Sequence, residues 1–94
     1  MSNPLVINKH TFDILLKRDK PGDLIALYLF YCYETKEQRT NQIRCAAEYT
    51  TEKLGWTTPR LSARKKVLED LGLIKDIVVR ENGRISGRYV EVAA

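Results

Sequence analysis

A mainly helical α+β fold, several helices followed by a C-terminal β-hairpin, is predicted by three features of the 94-residue sequence. Apolar residues recur at helical spacing through the first three quarters of the chain. Gly55 and the threonines after it place a tight turn between two helical stretches. The C-terminal stretch LIKDIVVRENGRISGRYVEV then divides into two β-rich runs around Asn82-Gly83, a strong short hairpin signal. The length suits a single domain, residues 1–94, with an N-terminal arm over 1–8, a helix, turn and helix over 46–72, and a hairpin over 76–92.

Each element has a local cause. MSNPLVIN is short, extended and punctuated by Pro4, and Asn8 can cap the turns after it. In KHTFDILLKRDK, Phe12, Leu15 and Leu16 form one apolar stripe of a short amphipathic helix, which Pro21 and Gly22 are expected to stop. Asp23 is the expected N-cap of DLIALYLFYCYETKEQ, whose positions 24 to 33 are nearly all hydrophobic or aromatic, so that helix should be covered on more than one side. After the polar break Thr40-Asn41-Gln42, IRCAAEYTTEKLG reads as a strand-like entry and a helix of about two turns ending at Gly55. Thr57 or Thr58 caps the next helix, Pro59 sits in its first turn where a missing N–H costs nothing, and Gly72 ends it. The hairpin strands are expected over Ile77–Arg80 and Ile85–Val92, with a bulge at Gly87.

Composition narrows the function classes. Hydrophobic residues are 44% and charged residues 30%, an ordinary globular balance. The net charge of +4 is unevenly spread: residues 1–40 carry six bases and five acids, 41–75 seven and four, and 76–94 three and three. The surplus therefore lies in the segment holding GWTTPRLSARKKVLEDLGLI, where Arg60, Arg64, Lys65 and Lys66 crowd the start of a helix. Cations are locally unfavourable at that end of a helix dipole, so an external polyanion is the expected compensation. Cys32 and Cys45 have neither CxxC spacing nor a histidine cluster, which argues for reduced core thiols and against zinc. The longest apolar run, LIALYLFYCY, is about half of a membrane span. With one histidine, no Gly-rich phosphate loop and no nucleophile beside a base, the chain is expected to be a non-enzymatic, cytoplasmic protein without cofactor, metal or small-molecule substrate.

Helix, then helix-turn-helix, then β-hairpin is the order of a winged helix. The run RLSARKKVLEDLGLI followed by ENGRISGRYVEV resembles the winged helix-turn-helix DNA-binding domains of bacterial phage, plasmid and conjugative-element proteins, both replication-initiation and transcription-regulator types. The resemblance covers about Val6 to Val92, and its most telling parts are the GW turn, the LEDLGLI helix exit and the GRISGRY hairpin. It implies that Pro59 to Leu71 is a recognition helix and Arg80 to Arg88 a wing.

At about 100° per residue, Leu61, Arg64, Val67, Leu68 and Leu71 share one face, which leaves Arg64 in an apolar stripe to snorkel, pair with an acid, or mark a rotated helix. Thr58, Pro59, Ser62, Ala63 and Lys66 then point outward, flanked by Arg60 and Lys65. Arg60 is the candidate for a bidentate contact to guanine, while Ser62 and Ala63 are small enough to admit base edges. Lys65 and Lys66 suit phosphates, and Thr57 can bind a phosphate as well as cap. Arg80, Arg84 and Arg88 suit the backbone or minor groove beside the hairpin, sharing a face only if no bulge intervenes. Trp56 is expected to plug the core between the two helices. The expected partner is double-stranded DNA; a winged helix that binds protein instead is the alternative. The aromatic helix Leu24–Tyr33 offers a homodimer contact with Tyr28, Tyr31 or Tyr33 on its rim, unless the helix of Phe12 to Leu16 covers that surface within one chain.

Overall fold

Asn8 opens the first helix by accepting hydrogen bonds from the backbone N–H groups of His10 and Thr11, at 2.8 and 3.4 Å. The computed structural model describes residues 5–93, so the first half of the expected N-terminal arm lies outside the described residues. Helix α1 (Lys9–Leu16) is capped by Lys17, and Pro21-Gly22 does not terminate it. Those two residues begin α2 (Pro21–Gln38), because proline suits the first turn of a helix. Asp23 is correspondingly not the N-cap; it lies in the first turn of α2, and the cap position is Lys20 in a left-handed conformation (φ 55°). Arg39 closes α2 in the same conformation.

The chain then forms β1 (Gln42–Ile43), α3 (Ala47–Leu54), α4 (Thr58–Asp70), β2 (Ile74–Glu81) and β3 (Arg84–Val92). Gly55 caps α3 at φ 70° and Thr57 caps α4 by accepting from the Arg60 N–H at 3.4 Å, so a three-residue turn separates the two helices. Helix α4 stops at Asp70, with Leu71 as cap and Gly72 at φ 74° carrying the chain out. Both hairpin strands are longer than the β-rich runs alone, since β2 starts at Ile74 and β3 at Arg84. The three strands form one antiparallel sheet in the order β1-β3-β2.

Each helix presents a stripe to one core. Leu24, Leu27, Tyr28 and Tyr31 of α2 follow the i, i+3, i+4, i+7 spacing and are buried with Leu15, Leu61, Leu68 and the sheet residues Ile43, Ile74, Val90 and Val92. Ile25, Phe30 and Cys32 are half-buried against the same cluster, so α2 is covered on more than one side. Glu34 continues the α2 stripe as a buried carboxylate, satisfied by the Tyr49 hydroxyl at 2.8 Å and the Gln38 amide at 3.0 Å. Gln38 also grips the start of the α3 entry: its amide donates to the Arg44 carbonyl and its oxygen accepts from the Arg44 N–H, both at 2.9 Å. This pair of bonds satisfies both backbone groups of Arg44, the residue just beyond β1, with a side chain.

Register sorts the hairpin side chains into two faces. Ile74, Asp76 and Val78 stand opposite Val92, Val90 and Arg88 on the core side, while Lys75, Ile77 and Val79 stand opposite Glu91, Tyr89 and Gly87 on the other. The pairing shifts between Val79 and Arg80, which face Gly87 and Ile85, so the extra residue of the bulge is Ser86, one position before the expected Gly87. The Ser86 hydroxyl donates to the Val79 carbonyl at 3.3 Å. Gly87 has a different role: a Cβ there would stand 3.1 Å from the Tyr89 ring, which lies over the glycine. Asn82 and Gly83 take φ 51° and 76°, the two left-handed positions of a type I′ turn.

Candidate nucleic-acid interface

The outward face of α4 is open. Thr58, Pro59, Ser62, Ala63 and Lys66 are all exposed, whereas Leu61 and Leu68 are buried and Arg64, Val67 and Leu71 are half-buried. Thr57 is exposed too, and its hydroxyl oxygen is engaged in capping. This distribution follows from the helical period, with the small residues directed away from the core.

The cations of α4 are less free than their spacing implies. Arg60 makes a side-on bidentate pair with Asp23 of α2, its Nη2 donating to Oδ1 at 2.6 Å and its Nε to Oδ2 at 3.0 Å. Its guanidinium also lies over the Trp56 ring, 4.6 Å from the ring centre. Arg64 Nε donates to the same Oδ2 at 3.0 Å, which explains an arginine in the apolar stripe: it pairs with an acid. Trp56 is thus a half-buried platform beneath Arg60 as well as a plug against the core. Hydrogen bonds from Arg60 draw the Asp23 carboxyl down from 3.8 to about 2, against the opposing pull of burial and with further help from Arg64. Lys65 bonds Asp76 of β2 at 2.7 Å and so ties α4 to the hairpin. Burial, with Asp76 adding to it, raises the Glu69 carboxyl in the same corner. Among the described residues, Lys66 alone of the four α4 cations makes no ion pair.

The hairpin arginines divide between faces. Arg80 and Arg88 stand with Val78 on the side that Lys65 reaches, while Arg84, opposite Glu81, falls on the other side because the Ser86 bulge intervenes. All three are exposed. Between the hairpin base and the start of α3 lies an open groove of about 540 Å³ whose lining includes Arg44, Ala46, Lys65, Asp76, Arg88 and Tyr89. Arg44 is steadied there by the Tyr89 ring, 5.5 Å from its guanidinium, and by a 3.3 Å bond to the Tyr89 hydroxyl. Ala46 and Ala47, at the start of α3, line the same groove, and Ala46 makes no side-chain cap.

Sequence reasoning missed Asp23, Asp76, Arg44 and Tyr89 as parts of this surface. Asp23 lies 37 positions before Arg60 and Tyr89 45 after Arg44, so no local pattern signals either pairing. Cys32 and Cys45 are free and half-buried, their thiols pushed up by burial; Cys45 Sγ lies 3.1 Å from the hydroxyl of the buried Thr50. No helix among the described residues is long and apolar enough to cross a membrane. No family model, curated protein or solved structure matches the chain.

Proposed function

We propose that this chain is a winged helix-turn-helix protein that binds double-stranded DNA, of the transcription-regulator or replication-initiation type carried by phages and plasmids. The observation that carries the reading is the outward face of α4: small residues and Lys66 over its first turns, with the exposed Asp70 only at its far end, beside a hairpin that projects three arginines. In this reading α4 enters the major groove, the Thr57 end of α4 and Lys66 meet phosphates, and Arg80 and Arg88 follow the flanking backbone, with Arg84 on the opposite face of the hairpin tip. The groove lined by Arg44, Lys65 and Arg88 is a second basic path for a strand. Self-association through the aromatic helix belongs to the same proposal in reduced form. Tyr28 and Tyr31 are spent in the monomer's own core, leaving Tyr33 and the nearby Tyr49 as its exposed rim.

One observation favours the alternative of a protein-binding winged helix. Arg60, Arg64 and Lys65 are already ion-paired, and the hairpin exposes Val78, Val79 and Ile85. Selection from random duplex DNA separates the two. Enrichment of a sequence supports the DNA reading; no enrichment together with no non-specific affinity supports protein binding. In a salt series, Lys66→Ala should flatten the log affinity against log salt slope by about 0.9. Lys65→Ala should flatten it less, because Asp76 already holds that ammonium. An unchanged slope removes both lysines from the interface.

A further inference from the structure

We propose that Asp23 is a positioning residue for base readout: from α2, it fixes the Arg60 guanidinium so that its free edge faces a guanine. The inference rests on the DNA-binding reading above and adds to it a residue outside the helix-turn-helix.

An arginine side chain has two ways to form a fork. The side-on edge uses Nε–H and one Nη2–H, and the end-on edge uses Nη1–H with the outer Nη2–H. Asp23 occupies the side-on edge, at 3.0 Å to Nε and 2.6 Å to Nη2. Among the described residues Nη1 takes no hydrogen-bond partner, which leaves the end-on edge available as a pair of donors able to bond both O6 and N7 of guanine. The ion pair therefore occupies one fork of the guanidinium and leaves the other for a guanine.

Two further contacts turn the pair into a fixed mount. The Trp56 ring lies 4.6 Å from the guanidinium carbon and supports the group from beneath. Arg64 Nε holds Asp23 Oδ2 at 3.0 Å, so the carboxylate is gripped from a second direction. Asp23 is largely shielded, its side chain 18% exposed, while that of Arg60 is 44% exposed: the support is inside and the presented group is outside. One carboxylate between two guanidiniums leaves the cluster with a net charge of +1, still attractive to DNA. Restraining a flexible arginine before binding reduces the ordering it must undergo at the interface.

The test uses the full chain, a duplex chosen by selection, and its single base-pair variants. Asp23→Asn should lower the preference for guanine at one position by about tenfold, a value within the range of one bidentate contact. Affinity for unrelated DNA should stay the same or rise, because a negative charge beside the interface has gone. Arg60→Lys should lose the same preference, and adding Asp23→Asn to it should cause little further loss at that position. If Asp23→Asn does not fold, Asp23→Glu carries the test: it keeps the charge, displaces the carboxylate by one methylene, and should lose the preference without gaining non-specific affinity. A folded Asp23 variant that keeps the full preference, or weakens every sequence equally, overturns the proposal and leaves Asp23 as a helix-to-helix latch. A wild-type chain with no affinity for any duplex overturns the parent reading as well, and that arm alone distinguishes the two failures.

Discussion

Asparagine at position 23 should cost the fold an amount that depends on pH, and the sign follows from the carboxyl's environment. Asp23 is held at about 2 when folded, against an ordinary value of 3.8. Its group is depressed, so its stabilising contribution is fully present above about pH 4 and is lost as pH falls through 2. At about 1.4 kcal/mol per unit, the difference sets a ceiling of about 2.4 kcal/mol at neutral pH. The side chain is 18% exposed, and solvent screening brings the expected value to about 1–2 kcal/mol. Urea unfolding of wild type and Asp23→Asn at pH 7, 4, 3 and 2 measures the gap directly. The gap should be widest at pH 7, almost unchanged at pH 4 and mostly closed at pH 2. A gap of the same size at pH 2 and pH 7 would refute the argument, because the ionised pair with Arg60 and Arg64 would then not be its source.

Three other perturbations address separate parts of the molecule. Leu68→Ala empties a fully buried position on α4 and should lower stability by about 3–5 kcal/mol in urea titration; a loss below about 1 kcal/mol would mean that α4 does not pack as described. Gly83→Ala places a side chain at φ 76° and should cost about 1 kcal/mol, with faster amide exchange confined to the hairpin; unchanged exchange there would contradict the left-handed turn. The hydrogen bond to Glu34 pushes the Tyr49 hydroxyl up to about 12, so its contribution is intact below pH 10 and fades as pH rises through 12. In Tyr49→Phe the highest step of the phenolate absorbance titration attributable to an exposed tyrosine should vanish, and its persistence would assign that step elsewhere.

Capping and periodicity made most of the secondary structure legible in advance. Asn8, Gly55, Thr57 and Asn82-Gly83 act where the sequence places them, because a cap or a tight turn depends on residues within a few positions. The same local logic assigned the inner and outer faces of α4 correctly. It failed where two signals coincided at Pro21-Gly22-Asp23: proline reads both as a stop for the preceding helix and as a first-turn residue of the next, and with α1 already ended at Leu16 it takes the second role. The site was legible as a set of cations but not as a set of free cations. Whether Arg60, Arg64 and Lys65 are paired depends on acids supplied by α2 and β2, which the chain brings close only once the core has formed. The two-residue β1 was visible only as a strand-like entry, since much of its order comes from the Gln38 side chain and from β3.

That glutamine also gives α2 a mechanical character. Gln38 fastens one end of the helix to the sheet, through the backbone of Arg44, and Asp23 fastens the other to the first turns of α4. At 1.5 Å per residue the two fastenings are about 22 Å apart along a stiff rod. The sheet edge beside β1 and the first turns of α4 are thereby joined through one continuous helix, which among the described residues is the most deeply packed of the four.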